Sequence, residues 1–115
     1  MTSRSLKGST SLIAIVLTML ILAAPARAQI KGAGATSCGV WVQSRKDGSW
    51  SVDLNWVLGF VSSYNHFVGR NIFGTSDAYA VAVWMDNYCQ KNPLNTQYEG
   101  AIQLVSELSA RAKAK

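Results

Sequence analysis

The chain holds only two cysteines, Cys38 and Cys89, and they stand 51 residues apart behind a stretch that reads as an export signal. Arg4 and Lys7 form a short basic start. An apolar run of 13 residues follows over 12–24, interrupted only by Thr18. Pro25 then breaks the run before Ala26-Arg27-Ala28, the small-x-small pattern that signal peptidase accepts. A membrane-spanning helix needs about 20 apolar residues. The run is too short for a retained anchor, so residues 1–28 are read as a cleaved signal. No cysteine follows the run to take a lipid. Beyond the cytoplasm the two thiols meet an oxidising compartment and are expected to pair. The alternatives are free thiols, or a nucleophilic cysteine with His66, the chain's one histidine, as its base.

Cleavage after Ala28 leaves residues 29–115, 87 in number. A domain of that size has a marginal core, and a covalent staple matters to it. The formal charge of +5 overstates the basicity of this part. Of the 11 Lys and Arg, three (Arg4, Lys7 and Arg27) belong to the signal, which leaves eight against six acids and a net charge of +2. No basic stripe with interleaved aromatics is present, so nucleic acid is not the expected partner. After cleavage no membrane segment remains in this reading.

Three segments carry apolar residues at helical spacing. Trp50, Leu54, Val57, Val61, Tyr64 and Val68 repeat at intervals of four and three, which predicts a helix over 53–68 with one face to a core. Ser49 or Ser51 is the expected cap, and Asp53 suits the first turn. Gly59 in its middle suggests a close helix contact. Gly74-Thr75-Ser76-Asp77 opens a second helix, with Thr75 or Ser76 as cap and Ala78, Ala82, Met85 and Cys89 on its inner face. Asn92-Pro93 stops it. The third begins at Pro93 after an Asn92 cap, or at the capping box Thr96-x-x-Glu99, and runs to about Ala110 with Leu94, Tyr98, Ala101, Val105 and Leu108 inside. Residues 38–43 are a helical turn or a short strand, residues 45–49 a polar connection, and residues 29–37 a flexible Gly-rich start. The expected architecture is all-α: three main helices and a short N-terminal element over 38–115, closed by one disulfide.

Candidate functional residues lie on the first of these helices. Asn55, Gly59, Ser62 and His66 share a polar face opposite the core stripe, with Arg70 beyond its end. Trp56, Phe60 and Phe67 form a second apolar ridge beside that stripe. A chain this small cannot bury all eleven of its mature-region aromatics. The ridge is either a wide core face against residues 38–43 or an interface, where aromatics concentrate. Trp56, Phe60, Phe67, His66 and Arg70 are thus the candidate partner surface. Two thiols and one histidine are too few for a zinc site. The sequence contains no nucleophile elbow, phosphate loop or closely spaced carboxylate pair. No catalytic residue, metal or cofactor is assigned.

Four stretches carry a family resemblance: Cys38-Gly39-x-Trp41, residues 56–62 (WVLGFVS), residues 84–89 (WMDNYC) and Asn92-Pro93-Leu94 before a closing amphipathic helix. The pattern resembles a group of small exported proteobacterial helical proteins, mostly uncharacterised. More distantly it is similar to the Rap1a/Tai immunity proteins, periplasmic helical proteins, often dimeric, that neutralise cell-wall amidases delivered by type VI secretion. In layout it also resembles the HdeA acid-stress chaperones. The resemblance implies a non-enzymatic periplasmic or secreted binding protein, with a toxin as partner or a second copy as dimer mate. The alternative it implies is a chaperone for acid-unfolded clients.

Overall fold

The computed structural model describes residues 14–15 and 27–115, so most of the expected signal lies outside the described residues. Among the described residues the chain is helical, with four α-helices and no strand. They are α1 (Cys38–Asp47), α2 (Ser51–Val68), α3 (Ala78–Lys91) and α4 (Gln97–Lys113), preceded by a 3-10 turn at Gly32–Ala35. No helix among the described residues is long and apolar enough to cross a membrane.

The short element expected over 38–43 is a full helix of ten residues. Ser37 caps it by accepting from the Val40 N–H, and Gly48 ends it at φ 84°. The expected polar connection at 45–49 is therefore mostly helical. Helix α1 packs on α3, and Cys38 is bonded to Cys89 there, with both side chains fully buried. The pairing closes the alternatives of free thiols and of a cysteine nucleophile.

Helix α2 keeps the expected inner face, with Leu54, Val57 and Val61 buried. Its N-cap is Trp50, which gives no side-chain cap bond, in place of Ser49 or Ser51. Asp53 lies in the first turn as expected, and it is buried there. Helix α3 starts one residue later than expected: Asp77 is itself the cap, accepting from the Ala80 N–H at 2.8 Å. Ala82, Met85 and Cys89 line its inner face as expected, with Val81. At α4 the capping box is the real start. Thr96 accepts from the Glu99 N–H while the Glu99 carboxylate accepts from the Thr96 N–H at 2.7 Å. Pro93 and Leu94 therefore stay outside the helix, and Leu94 is almost fully exposed.

The core sits where α3 and α4 meet α2. It comprises Trp41, Val57, Val61, Val81, Met85, Ala101 and Leu104, with Ile72 inserted from the α2–α3 connection. Gly100 lets α4 approach α3 closely. A Cβ there would lie 2.9 Å from Met85 Cε and from the Tyr88 ring.

The N-terminal approach is ordered by the same core. The Thr36 carbonyl accepts from the Gln97 N–H, and the Cys38 N–H donates to Asn95. Ser37 and Thr96 form an isolated antiparallel bridge. Behind it, the buried Gln97 amide donates to Asp53 at 2.6 Å and to Thr36 at 3.0 Å. A charged acceptor removed from water needs such donors.

Candidate functional site

Trp56 and Phe60 face inward together, and Phe67 stands away from them. The Trp56 ring lies over the 3-10 turn and donates its N–H to the Lys31 carbonyl at 3.0 Å. The Gly-rich start, read from sequence as flexible, forms this turn because only glycine leaves room. A Cβ on Gly34 would meet the Trp56 ring at 2.1 Å. Phe60 stacks on Trp56 at 5.5 Å and meets Tyr98 of α4 edge-on at 5.6 Å. Trp56 and Phe60 are thus partly buried, packed against α4 and the turn rather than against residues 38–43.

Phe67, the penultimate residue of α2, is 84% exposed. His66 meets its ring edge-to-face at 5.2 Å and is itself exposed, as are Val68 and Arg70. The backbone beneath is pinned. Gly69 takes φ 64°, the Gly69 and Arg70 N–H groups both bond to the Asn65 carbonyl, and the Asn65 side chain accepts from the Ile72 N–H at 3.1 Å. Because Ile72 is buried, the helix end is fixed to the core while Phe67 projects from it. An exposed aromatic ring on a pinned helix end, flanked by a histidine and an arginine, suits contact with another protein. The polar face of α2 is exposed as expected at Asn55, Gly59, Ser62 and His66. Gly59 has nothing within 4 Å of where its Cβ would be, so no contact among the described residues accounts for it.

Two carboxylates hold the helices together, each through a tryptophan and an arginine. Asp86 of α3 accepts from the buried Trp41 indole at 2.8 Å and takes a two-pronged bond from Arg45 at 2.9 Å. Arg45 also lies over the Trp50 ring at 4.4 Å. Glu107 of α4 accepts from the Trp84 indole at 2.8 Å and pairs with Arg111 one turn on. The Trp84 N–H, and after it Arg111, hold the Glu107 carboxyl below the usual glutamate range. The Ser49 hydroxyl and N–H do the same for Asp47. The sequence offered no sign of the Trp41–Asp86, Arg45–Asp86 and Trp84–Glu107 pairs, because each joins residues more than 20 positions apart.

The seam between α3 and α4 also bears two adjoining grooves of about 550 and 490 Å3 that share Trp84, Tyr88, Asn92 and Glu107. Trp84 and Tyr88 stack at 5.5 Å with their planes 10° apart. The sequence did not single out this surface; both rings are partly buried against the core. A third groove of about 500 Å3 lies between the loop at 71–76 and the end of α4. Among the described residues no three His, Cys, Asp or Glu side chains gather to hold a metal.

Comparison with protein-family models, curated proteins and solved structures finds no match.

Proposed function

We propose that this chain is a non-enzymatic binding protein of the periplasm or the secreted space, and that it contacts a protein partner through the end of α2. The observation that carries the reading is Phe67, 84% exposed on a helix end that is tied to the core through Asn65 and Ile72. A large apolar side chain on a backbone already fixed binds without the cost of ordering that backbone. His66 and Arg70 give the contact polar partners around the ring. Its sharpest form, following the resemblance to the Rap1a/Tai proteins, is an immunity-type inhibitor of a cell-wall hydrolase toxin, acting as a monomer or a homodimer. Phe67→Ser tests it. The variant should keep its melting temperature and lose both inhibition of periplasmic amidases and any dimer seen by sedimentation. Unchanged inhibition and unchanged mass would overturn the reading.

A second reading, the HdeA-like acid-stress chaperone, rests on the carboxylates. All six acidic residues of the chain accept hydrogen bonds: Asp47 from Ser49, Asp53 from Gln97, Asp77 from Ala80, Asp86 from Trp41 and Arg45, Glu99 from Thr96, and Glu107 from Trp84 and Arg111. Glu107 and Asp47 are held below the ordinary carboxylate range, so the stability they contribute is lost as pH falls through their lowered values. Suppression of client aggregation at pH 2–3, with loss of tryptophan burial, is the expected behaviour under this reading. A native fold at that pH would dismiss it.

A further inference from the structure

We propose that the α3–α4 seam is a saccharide-binding groove for an uncharged oligosaccharide built of hexopyranose rings. The apolar part of the site is the Trp84–Tyr88 stack, two half-buried rings one helical turn apart on α3. A pyranose ring has one face of C–H groups and an equator of hydroxyls. It therefore calls for a flat aromatic surface with amides and hydroxyls at its edge, and the seam supplies both. Asn92, Asn95, Gln103 and Ser106 line the groove around the stack.

The rings are fixed before any ligand arrives. The Trp84 N–H is bonded to Glu107, and the Tyr88 hydroxyl accepts from the Asn95 amide at 2.9 Å, which leaves its own hydrogen to donate outward. On the inner side Tyr88 lies against Gly100, where a Cβ would come within 3.0 Å of the ring. Side chains locked by such contacts bind with little loss of freedom.

Charge selects against other ligands. Glu107 is already engaged by Trp84 and Arg111, and Lys91 is the remaining charged residue lining the grooves among the described residues. One free cation does not hold a polyphosphate or a nucleic-acid backbone. Grooves of about 550 and 490 Å3 lie within the range of small-ligand sites. The proposal shares no residue with the Phe67 surface and does not depend on it.

The test is an NMR titration of the full chain, isotope-labelled, with tri-N-acetylglucosamine, cellotriose and maltotriose as probes. Trp84→Phe identifies the Trp84 indole signal. A saturable shift of that signal and of the Asn92, Asn95 and Gln103 side-chain amides is expected with at least one probe. Gln103→Ala combined with Ser106→Ala changes two exposed positions, so folding is retained. It should weaken binding about tenfold, the equivalent of a lost hydrogen bond. Phe67→Ser should leave the titration unchanged. Co-sedimentation with purified peptidoglycan sacculi assigns the cell wall as the source of the saccharide, and binding of a soluble probe alone assigns a free one. No saturation by about 10 mM with any probe overturns the proposal, as does a shift that the double variant leaves intact.

Discussion

The indole N–H of Trp41 points at Asp86 across 2.8 Å and ties α1 to α3 beside the disulfide. Trp41 is fully buried, and Asp86 is its only hydrogen-bond acceptor among the described contacts. Replacing Asp86 by Ala strands the indole donor and releases Arg45. The expected cost is about 2–3 kcal/mol, the range for hydrogen bonds to charged groups. Urea denaturation reads it directly. A loss under about 0.5 kcal/mol would show that the contact is dispensable.

Glu107 sets a sign for pH dependence. Its carboxyl is held below the ordinary glutamate range, so it stabilises the fold above that range, and the contribution disappears as pH falls through the lowered value. The loss sets in as pH falls below the ordinary glutamate value of about 4.3. Glu107→Gln should flatten the acid limb of the stability curve. Trp84 fluorescence should report the change, and identical acid limbs in both proteins would remove Glu107 from the account.

Two glycines should respond in opposite directions to alanine. At Gly34 the new methyl meets the Trp56 ring, and overpacking of that kind costs about 1–3 kcal/mol. At Gly59 the methyl meets open space in the middle of a helix, where alanine is favoured by about 1 kcal/mol. Thermal melting of the pair checks both. A lower melting temperature for Gly59→Ala would mean that this face is covered in solution.

Removing the cross-link with Cys38→Ala and Cys89→Ala should cost about 4 kcal/mol in the chain-entropy model for a loop of this length. Against a total of about 5–10 kcal/mol the variant should be largely unfolded near 37 °C. A cooperative melt within a few degrees of the parent would contradict the role given to the bond.

The helices read most easily from the sequence were those with apolar residues at regular spacing. The inner faces of α2 and α3 follow the spacing of Leu54, Val57, Val61, Ala82, Met85 and Cys89. Helix α1 escaped because it buries Cys38, Trp41 and Ser44, three positions apart and one of them polar, which leaves no apolar stripe. The Gly-rich start looked like loose chain because glycine signals freedom locally. Its use as a slot for Trp56 depends on a ring more than 20 positions away. Gln97 hid for a related reason: a fully buried amide makes sense only beside Asp53 and Thr36. On the ridge, the sequence grouped Phe67 with Trp56 and Phe60. Packing separated them, since Tyr98 and the 3-10 turn cover Trp56 and Phe60, and among the described residues nothing buries Phe67.

The bond from Cys38 to Cys89 makes a closed ring of the chain that contains α1, α2 and most of α3, and leaves two tails outside it. One tail carries the 3-10 turn and the other carries α4, and the tails grip each other through the Ser37–Thr96 bridge and the Gln97–Thr36 bonds. The ring cannot be pulled apart without breaking a covalent bond, but the tails are held to it only by contact. Each tail has its own seat on the ring: α4 lies with Gly100 against Met85 and Tyr88, and the 3-10 turn lies with Gly34 against Trp56.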